Sequence, residues 1–220
     1  MISNLRSLCT ATVLTVLAAG SASASQLIVP VDVTASSEFV SGFFMTTFED
    51  GSLIDQSSLS SGYSVGDSFD AFVNSGVTHN GAGWVSTVAD TSPTVLFDFG
   101  TDVSLTRIGF FEGQLGTTNA FDISGATDAN PQVFNSLATG PSYLSPSTGP
   151  VTADVVTLSQ PALVRYVLLS MSNCPTGLCA LGEVVFGDDT PVSSAVPVPP
   201  AALLMGGGLL AARRFRRVRA

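Results

Sequence analysis

The chain has no lysine, one histidine and three cysteines in 220 residues, and only 11% of its residues are charged. An ordinary soluble domain carries about 25% charged residues. So few basic side chains exclude a nucleic-acid-binding body, which needs a Lys/Arg face. A single imidazole and so few thiols leave little material for a Cys/His zinc cage or a multi-residue nucleophilic centre. Strong helix formers are scarce beside 21 Gly and 12 Pro, which argues against a large helical bundle. The length suits one compact domain, since roughly 100–200 residues per domain is usual.

What is present divides into two ends and a body. Residues 1–24 open with Arg6, continue through an apolar stretch at 8–19 and finish at Ala22-Ser23-Ala24. A basic start, a short apolar core and an A-x-A site together read as a secretory signal peptide, cut after Ala24. Cys9 leaves with it, so the exported chain keeps an even pair, Cys174 and Cys179. The intervening Pro175 and Gly177 favour a turn, and an oxidising compartment favours a disulfide across it.

At the other end no charge occurs from Thr190 to Ala212, and then Arg213, Arg214, Arg216, Arg217 and Arg219 arrive together. Residues 196–212 are 17 apolar or small residues, at the lower limit of the roughly 17–25 that span a bilayer. The arginines would hold their side in the cytoplasm. Pro197, Pro199 and Pro200 keep the approach extended. Residues 188–199 then read as a linker and 196–220 as a membrane-linked tail. This layout of Val196-Pro197-x-Pro199, a Gly/Leu/Ala span and an Arg cluster resembles a PEP-CTERM sorting signal, with Val198 where the commonest form has Glu. The resemblance implies a Gram-negative exporter, an exosortase-like processing enzyme as partner, transient anchoring in the inner membrane and release to the cell surface. It also implies cleavage near residues 196–200.

Between the ends lie all 17 carboxylates and only Arg107 and Arg165, a net charge of −15. Such a field repels nucleic acid and anionic lipid and suits solubility or cation binding. Short apolar or alternating segments recur at 27–33, 39–48, 94–99, 104–111, 120–124, 154–158, 164–170 and 181–186, separated by Gly, Pro, Asn and Asp. In 94–99 the residues Val95, Phe97 and Phe99 fall on one face; Val164, Tyr166 and Leu168 alternate with Arg165 in the same period of two. Eight short strands with turn signals predict an all-β jelly-roll sandwich over 26–187. The Ser/Gly-rich stretch 51–83 reads as a long loop region.

The order of these features resembles a discoidin-type, galactose-binding-like domain. The matching elements are VTASSEF (33–39), SLIDQSSLSSG (52–62), THNGAGWVST (78–87), TVLFDFG (94–100), VSLTRIGFF (103–111), FDIS (121–124), VRYVLLSM (164–171) and LGEVVFG (181–187). Gln56 and Ser57 stand where the family has a Gly-containing turn, and 62–78 reads as an insertion. The resemblance implies that Asp55 and Glu183 meet at one structural Ca2+, a cation that takes six to eight hard oxygens. The competing reading pairs Glu183 with Arg107 or Arg165, or exposes it at a strand end. Trp84 is implied to be core. His79 and Asn80, in a Gly-rich loop, have the imidazole and amide that a sugar site would use.

One catalytic motif also occurs. Gly62-Tyr63-Ser64-Val65-Gly66 fits G-x-S-x-G, the nucleophile elbow of serine hydrolases. That elbow needs a strand before it and a helix after it, whereas here a Ser-rich loop precedes it. The body is therefore read as a non-enzymatic, exported binding or scaffold module of the cell surface or extracellular matrix, with extracellular polysaccharide as its partner. The alternatives are a secreted hydrolase using Ser64 and a structural surface protein with no small ligand.

Overall fold

The computed structural model describes residues 25–41, 46–81, 83–88, 90, 92–143, 148–172, 174 and 176–189. The signal peptide, most of the linker and the tail residues 196–220 lie outside them. Among the described residues no helix is long and apolar enough to cross a membrane.

The architecture is an all-β jelly-roll sandwich with eleven strands: β1 (Gln26–Ile28), β2 (Asp32–Ala35), β3 (Phe39–Ser41), β4 (Thr46–Phe48), β5 (Trp84–Val85), β6 (Thr94–Phe110), β7 (Asp122–Ala126), β8 (Asn135–Thr139), β9 (Asp154–Ser170), β10 (Ala180–Leu181) and β11 (Val184–Asp188). The main sheet runs β1-β11-β6-β9-β7-β8, with β2 on the first half of β6. All its pairings are antiparallel.

Two pairs of expected strands are each one strand. Segments 94–99 and 104–111 fuse into β6, and 154–158 and 164–170 into β9, each 17 residues long. The two run antiparallel along their length, but their register slips between Asp98 and Val103 and again between Leu105 and Arg107. At the first slip Gly100 takes φ +76° and donates its N–H to Asp98 Oδ1 at 2.7 Å. At the second, residues 158–161 of β9 stand opposite Thr106 alone, so Pro161 fits there without breaking a ladder bond. These breaks fold the ribbon over. β2 flanks its first half and β11 its second. Phe97 and Phe99 then meet Phe186 edge-on, at centroid distances of 5.0 and 5.1 Å.

The same slip corrects the face expected for β9. Val95, Phe97 and Phe99 are buried as the alternation of β6 requires. Beyond residue 162 of β9 the buried residues are Val164, Val167 and Leu169, while Tyr166 and Leu168 turn to the half-buried side. A one-residue shift exchanges the two faces.

Elsewhere 27–33 is split: beyond Pro30 the chain leaves β11 and joins β6, with the Val31 N–H donating to Asp98 O. The 39–48 segment is a hairpin whose ends stack Phe39 on Phe48. The stretch 181–186 contributes the ends of β10 and β11. Two strands, β5 and β8, have no counterpart in the expected set. Trp84 is fully buried in β5 and donates its indole N–H to Ser37 O at 2.9 Å. Among the described residues helix is confined to a 3-10 turn at Asp50–Leu53 and to α1 (Phe69–Val73), whose Ser68 hydroxyl accepts from the Ala71 N–H.

Cys174 and Cys179 form a disulfide, their Cα atoms 5.2 Å apart, around a turn in which Gly177 takes φ +76°. It ties down the segment entering β10. Closing so short a loop is worth about 2 kcal/mol by chain entropy. Reduction, or Cys174→Ala, is expected to lower unfolding free energy by about that amount in a denaturant titration, with the folded spectrum unchanged.

Candidate functional site

The loop after the 3-10 turn is organised by one strained residue. Gln56 is the single non-glycine among the described residues with positive φ, at 61°. A left-handed φ of this kind is one that glycine adopts easily and a residue with a side chain does not. Three contacts hold it there. The Gln56 N–H donates to Glu183 Oε2 at 3.2 Å, its Oε1 accepts from the Tyr63 N–H at 2.8 Å, and Asp55 Oδ1 accepts from the Ser57 N–H at 2.8 Å.

Glu183 sits between β10 and β11 and is fully buried. Its backbone is fixed by Phe111, whose N–H donates to Glu183 O at 2.9 Å. Burial pushes its carboxyl from about 4.5 up to about 8; the Gln56 N–H opposes this, and the charge of Asp55 adds to it. No arginine answers it: Arg107 pairs with Asp70, and Arg165 with Asp98 and Asp128. That geometry removes the ion-pair reading of Glu183. Asp55 is exposed on the adjoining loop.

His79 lies in the same region. Its backbone is bridged to both Leu59 and Val151, and its ring, 1% exposed, faces Phe111 at 6.2 Å. Burial lowers its pKa, with the Glu112 carbonyl and Asp55 acting in the opposite sense. The imidazole is therefore neutral and closed to a surface ligand. Its neighbour Asn80 is exposed and accepts from Gln114 Nε2 at 2.8 Å. Of the two adjacent residues, His79 is buried and Asn80 is exposed. The Tyr63 hydroxyl is buried beside Glu183, which together with burial pushes its pKa up.

Ser64 is exposed, in a turn where its N–H donates to Asp67 Oδ2 at 2.8 Å. Neither a preceding strand nor a directly following helix holds it, so the G-x-S-x-G match is not a nucleophile elbow.

A separate concavity of about 420 Å3 lies where the β7–β8 hairpin meets the middle of β9. Its walls are Leu163 and Val133, 61% and 57% exposed, with Leu137 between them. Thr127, Asn130 and Asn135 line it too, and no charged side chain does. Gly125 at its base has no room for a side chain: a carbon built there would lie 2.5 Å from Val164 Cγ1. The sequence did not mark this groove, because β8 (NSLAT) lacks the bulky alternation that identifies a strand.

No protein-family profile matches the chain, and neither does any curated protein. Solved structures do. The paired family 32 carbohydrate-binding modules of Clostridium perfringens ZmpB match 74% of this chain and 36% of theirs at 14% identity and a TM-score of 0.50. The body has their fold. The family 32 module of C. perfringens NanJ, solved with galactose, gives 14% identity over 71% of this chain and 93% of its own, at a TM-score of 0.46. Chitosan-binding module 1 of a Paenibacillus sp. IK-5 chitosanase/glucanase gives 16% identity, 74% and 98% coverage and a TM-score of 0.49. These likenesses are of fold.

Does the buried cluster fit the Ca2+ that the discoidin resemblance implies? An orphaned, fully buried carboxylate oxygen, Glu183 Oε1, fits a cation. The groups beside that carboxylate are the Tyr63 hydroxyl, the Gln56 N–H and, acting through its charge, Asp55, whereas Ca2+ asks for six to eight oxygens. The pH response of the cation-free protein follows from Glu183. Its unfolded carboxyl loses its proton near 4.5 and the folded one keeps it to about 8, so between those values the unfolded state binds fewer protons and gains. In chelator, stability is expected to fall as pH rises through that window, at no more than about 1.4 kcal/mol per unit. Glu183→Gln should flatten the slope in melts taken from pH 4.5 to 8.5.

Proposed function

We propose that this protein is an exported, non-catalytic module that binds neutral polysaccharide at the cell surface or in the extracellular matrix. The observation that carries it is the uncharged groove beside β8 and β9. In a body of net charge −15 a concavity lined only by amides, a hydroxyl and aliphatic carbon selects for neither cation nor anion. Sugars present C–H faces and hydroxyls together, and the groove offers a counterpart to each. Among the described residues the side chains of Asn130, Asn135 and Thr127 have no hydrogen-bond partner to give up on binding. The fold is one that carbohydrate-binding modules use, and the turn at Ser64 gives a hydrolase nothing to work with.

The C-terminal tail completes the proposal: Arg213, Arg214, Arg216 and Arg217 hold the chain at the inner membrane until an exosortase-like enzyme cuts near Val196, Pro197, Pro199 and Pro200. Mass spectrometry of extracellular protein should then find a chain lacking residues 213–220, and an intact Ala220 there would refute sorting by cleavage. A divalent cation at the Asp55–Glu183 loop, Ca2+ being the ion that the resemblance implies, braces the body.

Binding is tested on a glycan array and by calorimetry. The double variant Asn130→Ala/Asn135→Ala is expected to weaken glycan binding by about tenfold or more, since each lost hydrogen bond is worth about 1 kcal/mol. Its melting temperature should stay that of the parent, because both side chains are exposed. A wild type that retains no glycan on the array defeats the proposal, and leaves the structural surface protein as the reading.

A further inference from the structure

An aromatic side chain offers a flat apolar platform that could carry a whole sugar face. Among the described residues no such ring lines the groove beside β8 and β9. The period of two explains part of this: Val133, Asn135 and Leu137 line it, and Phe134 between them does not. Tyr166, two residues beyond Val164 on β9, has its face taken by the Arg165 guanidinium, 4.9 Å from the ring centroid. At about 420 Å3 the groove is nonetheless of small-ligand size, roughly 300–1,000 Å3.

What the groove offers instead is branched aliphatic carbon. A carbon built on Gly125 would lie 2.5 Å from Val164 Cγ1 and 2.9 Å from Leu137 Cδ1, so these two methyl groups converge on the floor. Val133 and Leu163 stand above it with more than half of their surface in water. The hydrogen-bonding groups, from Thr127, Asn130 and Asn135, all come from the hairpin side, and β9 adds only aliphatic carbon. A ligand hydroxyl set against Leu137 and Val164 would leave water and find no partner, at a net cost. A methyl group there would lose nothing and would gain the contact.

Charge narrows the choice further. Thr127 and Val164 each adjoin a charged residue, Asp128 and Arg165, and these two pair with one another. From Ala129 to Ala153 the sequence has no charged residue. An occupant bearing a carboxylate, a sulfate or a free amine meets no counter-charge in this lining, which leaves neutral sugars.

We infer that the groove selects a neutral sugar residue that carries a methyl group, with the methyl on the aliphatic floor and the ring hydroxyls on Thr127, Asn130 and Asn135. The inference rests on the reading of this groove as the glycan site and names the class of sugar that it takes. Two sources supply such a methyl: the C6 of a 6-deoxyhexose and the acetyl group of an esterified sugar.

The full chain is titrated by calorimetry with sugars that differ in this group alone. L-Fucose is set against L-galactose and L-rhamnose against L-mannose, each pair exchanging CH3 for CH2OH at C6. A neutral O-acetylated polysaccharide is set against the same polymer after mild alkali has hydrolysed its esters. The methyl-bearing member of at least one arm should bind about tenfold more tightly or better, as one group of this size is worth in an apolar pocket. Preference in the first arm assigns a 6-deoxyhexose, and preference in the second an acetyl ester. The double variant Val133→Ser/Leu163→Ser, altered at two exposed positions, should keep the parent melting temperature and bring the ratio to about one. Equal binding within every pair, or a preference that survives in the double variant, would overturn the inference and leave the neutral-polysaccharide reading standing. Failure of every sugar and polymer to bind would defeat that reading, and this inference with it.

Discussion

The β6–β9 ribbon is the constraint on which the rest depends. Two 17-residue strands cannot remain flat and paired along their whole length without exposing one face. The slips at residues 98–103 and 105–107 let one ribbon serve both halves of the sandwich. Everything functional takes its position from those slips. The β7–β8 hairpin pairs with the β9 segment beyond the first, and the groove opens where Ala162, Leu163 and Val164 cross between halves. The β11 strand pairs beyond the second, and by pairing there it brings Glu183 against the loop of Gln56.

A second constraint is the placement of a carboxylate where burial is complete. A non-glycine residue held at φ 61°, as Gln56 is, costs on the order of 1 kcal/mol. The Gln side chain returns part of this by accepting the Tyr63 N–H, and so draws Tyr63 toward Glu183. Residue 56 thereby ties its own loop to Glu183 through its backbone and to Tyr63 through its side chain. The meeting of Tyr63 and Glu183 is in that sense a consequence of Gln56.

Much of the body could be read from the chain. The alternation of Val95, Phe97 and Phe99 identified a core face because nothing interrupts the period there, and Cys174 and Cys179 identified a disulfide because a turn of Pro and Gly lies between them. What escaped was non-local. The face of Tyr166 depends on a register slip opposite Gly100, which only the partner strand reveals. β5 is two residues long and exists because β10 pairs with it. His79 reads as a loop residue since its burial is imposed by Leu59 and Val151 from either side. Asp55 and Glu183 were paired only by resemblance; in the structure it is Gln56, the residue after Asp55, whose N–H donates to the Glu183 carboxylate.

The two arginines of the body have a consequence for how this protein meets proteases. Both lie within strands of the central ribbon, and both guanidinium groups are held by aspartates. With no lysine in the chain, an enzyme that cuts after basic residues finds its only two targets between residues 25 and 189 inside the two longest strands, Arg107 paired and Arg165 at the first register slip. Such an enzyme can act only after the ribbon itself has opened. Tryptic cleavage of the body would therefore measure its global unfolding and no lesser fluctuation. A protein secreted among proteases would be as durable toward that class as its sandwich is stable.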